Sequence, residues 1–383
     1  MRVYMDNSAT SFPKPPGVIE AMVEYMSMGG TNISRSISAE ASAAGDQIFT
    51  LREKLADLFQ AESSKEVIFT KNITESLNIV IKGYIRKGDP VVVSSLEHNA
   101  VMRPLVQQGA KILTIPVSEN GQMDLDRAKE SIPSAKALIC THVSNVSGDV
   151  MPIDKLSEIC QQHKIPFILD TAQSAGVIPI DLKKTPVECL CFTGHKALLG
   201  PTGTGGMIIQ SRFAEKIPCF ITGGTGSRSH EEIHPCILPD KYEAGTQNIV
   251  GSIGLSASLE YLERVGIREI FQRETHLGQL FFEMLQKIDG IRIIGSKKYA
   301  EKPPVFSIDF LSHDNADISY LLANKYHIDN RPGLHCAPRA HRSYKTFPHG
   351  TVRLSLSHFT TENDLEYAVH AIQEILKEKK ASL

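Results

Sequence analysis

The sequence predicts an α/β protein: a mostly parallel sheet covered by helices on both faces, followed by a smaller α+β domain. Three observations predict it. From about residue 65, short β-branched runs alternate with segments of helical periodicity, and such alternation implies crossover units and a parallel sheet. After about Gly254 the order changes to long helix, separated strands, helix, strand and helix. The 383 residues suffice for two domains with well-buried cores.

Taken in order, strands are expected at Val67–Thr70, Val91–Ser94, Ile112–Pro116, Ala137–His142, Phe167–Asp170 and Glu188–Thr193. Helical periodicity lies between them at Thr74–Ile85, Asp124–Ile132 and Pro152–His163. Gly-rich segments follow at 200–206 and 223–226. A long helix is expected over roughly 255–288, then the runs IRIIG and VFSIDF. Next come a helix near Ile318–Lys325, a strand at Val352–Leu356 and an amphipathic helix at Glu362–Lys379. This order suggests a large domain of residues 15–254 and a small one of 1–14 plus 255–383. No internal repeat or low-complexity tract is evident.

Bulk composition excludes several classes. Hydrophobic residues make up 42% and charged residues 22%, as in ordinary globular proteins. A formal net charge of −2 gives no reason to expect nucleic acid or an anionic membrane as partner. No apolar run reads as a signal peptide or approaches the ~20 residues of a membrane span. Seven cysteines, at 140, 160, 189, 191, 219, 236 and 336, form no CxxC pair. Neither a disulfide framework nor a zinc knuckle is expected, no metal is expected, and the cytoplasm is the expected address.

Four local features carry chemistry. Lys196, in TGHK at 193–196, emerges from the apolar run VECLCFT at the edge of the sheet. A surface charge is the common fate of lysine, but a desolvated lysine beside polar groups suits a Schiff base. Asp170 ends the strand FILD, where open α/β sheets bind ligands; a helix cap is the competing reading. Thr70–Glu75 joins a strand to a helix start, where hydroxyls and backbone N–H groups can hold phosphate. Taken alone, that stretch is better read as an ordinary helix cap by Asn72 or Thr74. Cys336 lies in RPGLHCAP, with Arg339, His341, Arg342 and Lys345 behind it, and basic, exposed surroundings favour a nucleophilic thiol over a buried one.

Together these features resemble the class V aminotransferase fold, and within it the cysteine desulfurase and selenocysteine lyase family. The resemblance runs from YMDNSAT at 4–10 through ITE, EHNA, HVSNVSG, LDTAQ, TGHK, EAGTQN and RPGLHC to VRLSLSHF at 352–359. The RxGxHC form is similar to the type II branch with its short cysteine loop. The resemblance implies the fold type I of pyridoxal-phosphate transferases, with a seven-stranded sheet and that cofactor. It implies Lys196 as the Schiff-base lysine, Asp170 as partner of the pyridine nitrogen, Gln173 on the ring hydroxyl and His98 stacked on the ring. Thr74, Thr193 and His195 are implied as phosphate contacts, with Thr246 donated by the partner subunit of a homodimer. Asn145 and Arg353 are implied to hold the substrate carboxylate, with Arg331 beside them.

Cys336 is implied as the thiolate that takes sulfur from L-cysteine, leaving alanine and a persulfide for a sulfur-acceptor protein. A mobile loop around it is the expected means of carrying sulfur outward. Ile73 stands where a second hydroxyl is common, Thr193 where serine is usual, and Leu334 where many relatives have a histidine. Alternatives are a selenocysteine lyase, an aminotransferase of the same fold, or a non-catalytic scaffold that binds the cofactor.

Overall fold

The structure is a computed structural model that describes residues 2–28, 39–297, 299 and 302–381. In chain order the strands begin with β1 (Val3–Tyr4), β2 (Val67–Thr70), β3 (Pro90–Ser94), β4 (Lys111–Ile115), β5 (Ala137–Thr141), β6 (Phe167–Asp170) and β7 (Cys189–Thr193). They continue with β8 (Gly205–Ile209), β9 (Arg292–Ile293), β10 (Val305–Asp309), β11 (Ile328–Asp329), β12 (Arg331–Gly333) and β13 (Thr351–Ser355).

The large sheet has seven strands in the order β2-β8-β7-β6-β5-β3-β4. Only β8 runs against its neighbours, pairing antiparallel with both β7 and β2; the remaining pairs are parallel. The mostly parallel sheet expected from the alternation is therefore present. Strands β5, β6 and β7 are buried at every residue, which a sheet covered on both faces requires. Side chains alternate between two cores: Val92, Leu138 and Leu169 point to one, and Val91, Ile139 and Ile168 to the other. The helix Ile73–Tyr84 shows how a covering helix is specified. Asn72 caps it by accepting from Glu75 N, and Ile73, Leu77, Val80 and Ile81 form its buried stripe.

A second sheet, in the order β12-β13-β10-β9, is antiparallel. Its core gathers Phe281, Phe306, Ile308, Ile318, Leu354 and Ile372. The chain start joins it: β1 pairs with β11, and Asp6 bridges to Ser355.

Two expectations are corrected. No strand is expected at the Gly-rich segment 200–206, yet it leads into β8. A β-carbon at Gly206 would stand 2.4 Å from the Ile68 carbonyl oxygen, and one at Gly205 2.6 Å from Asn72 Cα. These glycines mark a strand pressed against its neighbours. The single helix expected over 255–288 is two helices, Ile249–Val265 and Ile267–Leu285, divided at Gly266 with φ 91°. Helices at Val18–Ser27, Ala39–Phe59 and Asn99–Gln108 had not been expected at all. Among the described residues, no helix is long and apolar enough to cross a membrane.

Candidate active site

Strands β3, β5, β6 and β7 run parallel, so the segments that follow them emerge on one edge of the sheet, where open α/β sheets place their ligands. After β3 come Glu97 and His98, after β5 the turn with Asn145, after β6 Gln173, and after β7 His195 and Lys196; Asp170 and Thr193 close their strands. Asp170 pairs in register with Cys191, five residues before Lys196.

Lys196 is enclosed enough that burial, aided by Arg353, lowers its amine to about 8, with Asp170, Asp6 and Cys336 opposing. Five charged or nucleophilic groups from distant parts of the chain thus converge. Asp170 is 2% exposed, and burial raises its carboxyl while the Ala172 N–H and Lys196 oppose. Its Oδ1 accepts from Ala172 N at 2.9 Å, which closes a turn rather than caps a helix, since no helix lies between β6 and β7; the second oxygen is left for other use. His98 caps the helix Asn99–Gln108, its Nδ1 accepting from Ala100 N at 3.0 Å. That bond leaves the proton of the neutral ring on Nε2. Burial, Lys196, Arg353 and Arg103 push this imidazole down to about 4. Gln173 is buried and donates through Nε2 to the Ser8 carbonyl at 2.9 Å.

The expected phosphate contacts are less concentrated. Thr193 Oγ1 donates to the Thr204 carbonyl at 3.4 Å. Burial lowers His195 to about 4, and its Nδ1 is buried with no partner. Thr74 sits exposed on the first helical turn, where Asn72 is the cap. Thr246 lines a cavity of about 240 Å³ with Thr70, Lys71, Gly203 and Asn248. Lys196 lines a different, smaller void of about 40 Å³ with Ser8, Gln173, Glu274 and His358.

At the opposite wall Arg353 is 3% exposed. It donates to the Asn145 carbonyl and to Asp6 Oδ1, both at 3.0 Å, while its Nε is buried without a partner. Arg331 also binds Asp6, at 2.7 Å. Asn145 Nδ2 donates to the His335 carbonyl at 2.7 Å, which ties the expected carboxylate site to the cysteine turn. Cys336 is exposed. Its carbonyl accepts from Asn99 N at 2.7 Å, beside His98, and Ala337 N donates to Leu334 O at 2.8 Å. The thiol thus sits in a turn whose backbone is hydrogen-bonded on both sides.

Three residues were missed in the sequence. Asp6 joins both arginines; its only sequence signal was its place in YMDNSAT. Glu97 is buried, with Oε1 accepting from Ser94 and Thr141 N and Oε2 unpartnered; burial pushes it up to about 8. His341 lies behind Cys336 and was noted only as a basic neighbour.

These residues fit pyridoxal phosphate. A depressed lysine amine follows the strand beside a buried carboxylate, a neutral imidazole follows β3, and the buried Arg353 Nε is an unused donor for an anionic group, with His195 Nδ1 also unpartnered. Among the described residues no group of three or more His, Cys, Asp or Glu is arranged to hold a metal.

A fold with one reversed strand in a seven-stranded sheet, and a lysine and aspartate at its ligand edge, defines a class of cofactor-dependent transferases. The aminotransferase class-V family model matches residues 3–368, and the chain belongs to that family. A relative named "Probable cysteine desulfurase" from Pyrococcus abyssi is 33% identical over 99% of this chain and 96% of its own length. Cysteine desulfurase CsdA of Escherichia coli is 31% identical over 98% and 94%. Among solved structures, the apo cysteine desulfurase of Thermococcus onnurineus NA1 superposes with a TM-score of 0.92 at 30% identity, covering 98% of this chain and 95% of that one.

Proposed function

We propose that the chain is a pyridoxal-phosphate-dependent cysteine desulfurase that converts L-cysteine to L-alanine and holds the sulfur as a persulfide on Cys336. The observation that carries the reading is Lys196 and Asp170 at the ligand edge of the large sheet, with Arg353 of the small sheet tied through Asn145 to the turn that carries Cys336, together with relatives that bear this name over nearly the whole chain.

When bound, pyridoxal phosphate supplies an aldehyde for amines and a ring that accepts electrons from Cα. Lys196 would hold it, and Asp170 would keep its ring nitrogen protonated. His98, neutral by burial, and Gln173 would contact the ring and its hydroxyl. Thr74, Thr193 and His195 would bind the phosphate, with Thr246 of a second copy. Arg353 takes the substrate carboxylate on its unused Nε and neighbouring N–H groups, with Asn145 and Arg331 at the rim; a charge-assisted hydrogen bond of this kind contributes about 1.5–3 kcal/mol. As a free amine depressed to about 8, Lys196 would be a competent base for the Cα proton near neutral pH. The Cys336 thiolate then attacks the substrate sulfur. One C–S bond breaks and one S–S bond forms: L-cysteine and the Cys336 thiol become alanine and the Cys336 persulfide.

The exposure of Cys336 supports transfer onward to an acceptor protein without backbone displacement. A homodimer follows if Thr246 reaches across. A division into a large body at 15–254 and a small one at 1–14 plus 255–383 is supported by the third core, which draws only on the latter residues. Leu255, Leu259 and Leu262 pack in the first core, which favours a seam nearer Gly266. The cytoplasm is the proposed address, on the grounds that all seven cysteines are free.

Cys336→Ala tests the reading against a lyase or aminotransferase on the same fold. Selenium leaves carbon more readily than sulfur, so its release needs less help from a thiolate. The variant should keep its visible cofactor band and much of its activity on L-selenocysteine while losing nearly all sulfur release from L-cysteine. Desulfuration of L-cysteine at the wild-type rate would make the thiol incidental.

A further inference from the structure

Behind Cys336 lies a chain of hydrogen bonds with only one neutral arrangement of protons. His335 Nε2 is 3.0 Å from the Arg331 carbonyl oxygen, and His335 Nδ1 is 3.2 Å from His341 Nε2. His341 Nδ1 is 2.7 Å from Thr346 Oγ1. A carbonyl can only accept, so His335 carries its proton on Nε2 and its Nδ1 is a lone pair. His341 must then donate through Nε2, which makes its Nδ1 the acceptor for the Thr346 hydroxyl. The direction of every bond is set: Thr346 to His341, His341 to His335, His335 to the backbone of Arg331.

We propose that His341 and Thr346 are positioning residues for the sulfur-transfer step: through His335 they hold the turn that presents the Cys336 thiol, and His335 is an anchor rather than the acid or base for that thiol. This rests on Cys336 being the nucleophile, as argued above.

Both ring nitrogens of His335 are spent inside the protein, so neither is free to exchange a proton with the thiol. His335 is 7% exposed and His341 is fully buried, whereas Cys336 is exposed. The turn needs an anchor, since His335 and Cys336 are successive non-glycine residues with φ of 48° and 56°. Such left-handed conformations persist only where the surroundings enforce them. Asn145 holds the His335 carbonyl and Asn99 holds that of Cys336; the imidazole relay supplies the third hold, on the side chain.

One added proton could reverse the relay, with His335 donating to His341, His341 to Thr346, and the Thr346 hydroxyl to the His341 carbonyl 3.4 Å away. The groups acting on His335 oppose that state. Burial, Arg353 of β13, His341 of the following helix and Arg331 of β12 all lower its proton affinity, and only its bond to the Arg331 carbonyl favours the cation. Burial also lowers His341 to about 4.

The test compares holoenzymes carrying His341→Leu, His341→Gln, Thr346→Val, Thr346→Ser and His335→Gln. The readouts are kcat and KM for sulfur release from L-cysteine, activity on L-selenocysteine, and the iodoacetamide alkylation rate of the Cys336 peptide. His341→Leu should lower kcat for L-cysteine at least about tenfold, as a misplaced reacting group does. KM, the visible band and selenocysteine activity should stay close to wild type, and Cys336 alkylation should change. His341→Gln retains an N–H for His335 Nδ1 and should recover most of the loss. Thr346→Val should act in the same direction more weakly, with Thr346→Ser restoring the rate. His335→Gln, whose amide can still donate to Arg331 O, should remain well above Cys336→Ala and keep the wild-type pH profile.

The proposal is overturned if His341→Leu and Thr346→Val release sulfur at the wild-type rate. It is equally overturned if His335→Gln falls to the level of Cys336→Ala while Cys336 alkylation is unchanged. Should His341→Leu fail to fold, the Thr346 pair decides. Failure of the desulfurase reading itself looks different, because Cys336→Ala would then be as active as wild type.

Discussion

Asp6 and Arg353 form a buried ion pair of 3.0 Å across 347 residues of sequence. The carboxylate also binds Arg331 at 2.7 Å, so one aspartate from the chain start orients both arginines of the proposed carboxylate site. Breaking a buried pair by removing one partner costs about 3–5 kcal/mol, because the other charge stays buried. Asp6→Ala should therefore lower the melting temperature by several degrees and raise KM for L-cysteine at least about tenfold, the equivalent of roughly 1.4 kcal/mol. Unchanged KM in a stable variant would show that Arg353 needs no such partner.

Lys196 gives a prediction in pH. A lysine whose value is lowered to about 8 is neutral above that pH and protonated below it, and only the neutral amine attacks an aldehyde. The rate at which apoprotein takes up pyridoxal phosphate, followed by its visible band, should rise with pH and flatten above about 8. A rise that continues to the ordinary lysine range near 10.4 would contradict the desolvated site.

For Asp170, replacement by Asn keeps the shape and still accepts the Ala172 N–H, but cannot hold the ring nitrogen protonated. Turnover should fall by about two orders of magnitude or more while cofactor still binds. Near-normal turnover would reduce Asp170 to the closure of its turn.

How much of this was legible in the sequence follows from the range of each interaction. Local periodicity revealed the central strands, because β3, β5, β6 and β7 are short apolar runs. It missed β8, since the glycines that let β8 lie against β2 and β7 look like a loop when read alone. It merged two helices because a single Gly266 hardly disturbs a helical pattern. Lys196, Asp170 and Cys336 were legible as short motifs with a chemical purpose. Asp6, Glu97 and His341 were not. Each acts through a partner that periodicity does not reveal: Asp6 through distant Arg353, Glu97 through Ser94 and distant Thr141, and His341 through nearby His335. The Asn72 cap was legible, and so was its ambiguity with a phosphate site, because both readings use the same helix terminus.

The central claim is that sulfur passes from the substrate to Cys336. Holoenzyme is mixed with one equivalent of L-cysteine without added reductant, quenched, digested, and the mass of the Cys336 peptide is measured alongside alanine. The predicted result is a Cys336 peptide heavier by one sulfur atom, formed in step with alanine and lost on addition of a thiol. Alanine formed with free sulfide, while Cys336 stays unmodified throughout, would contradict it.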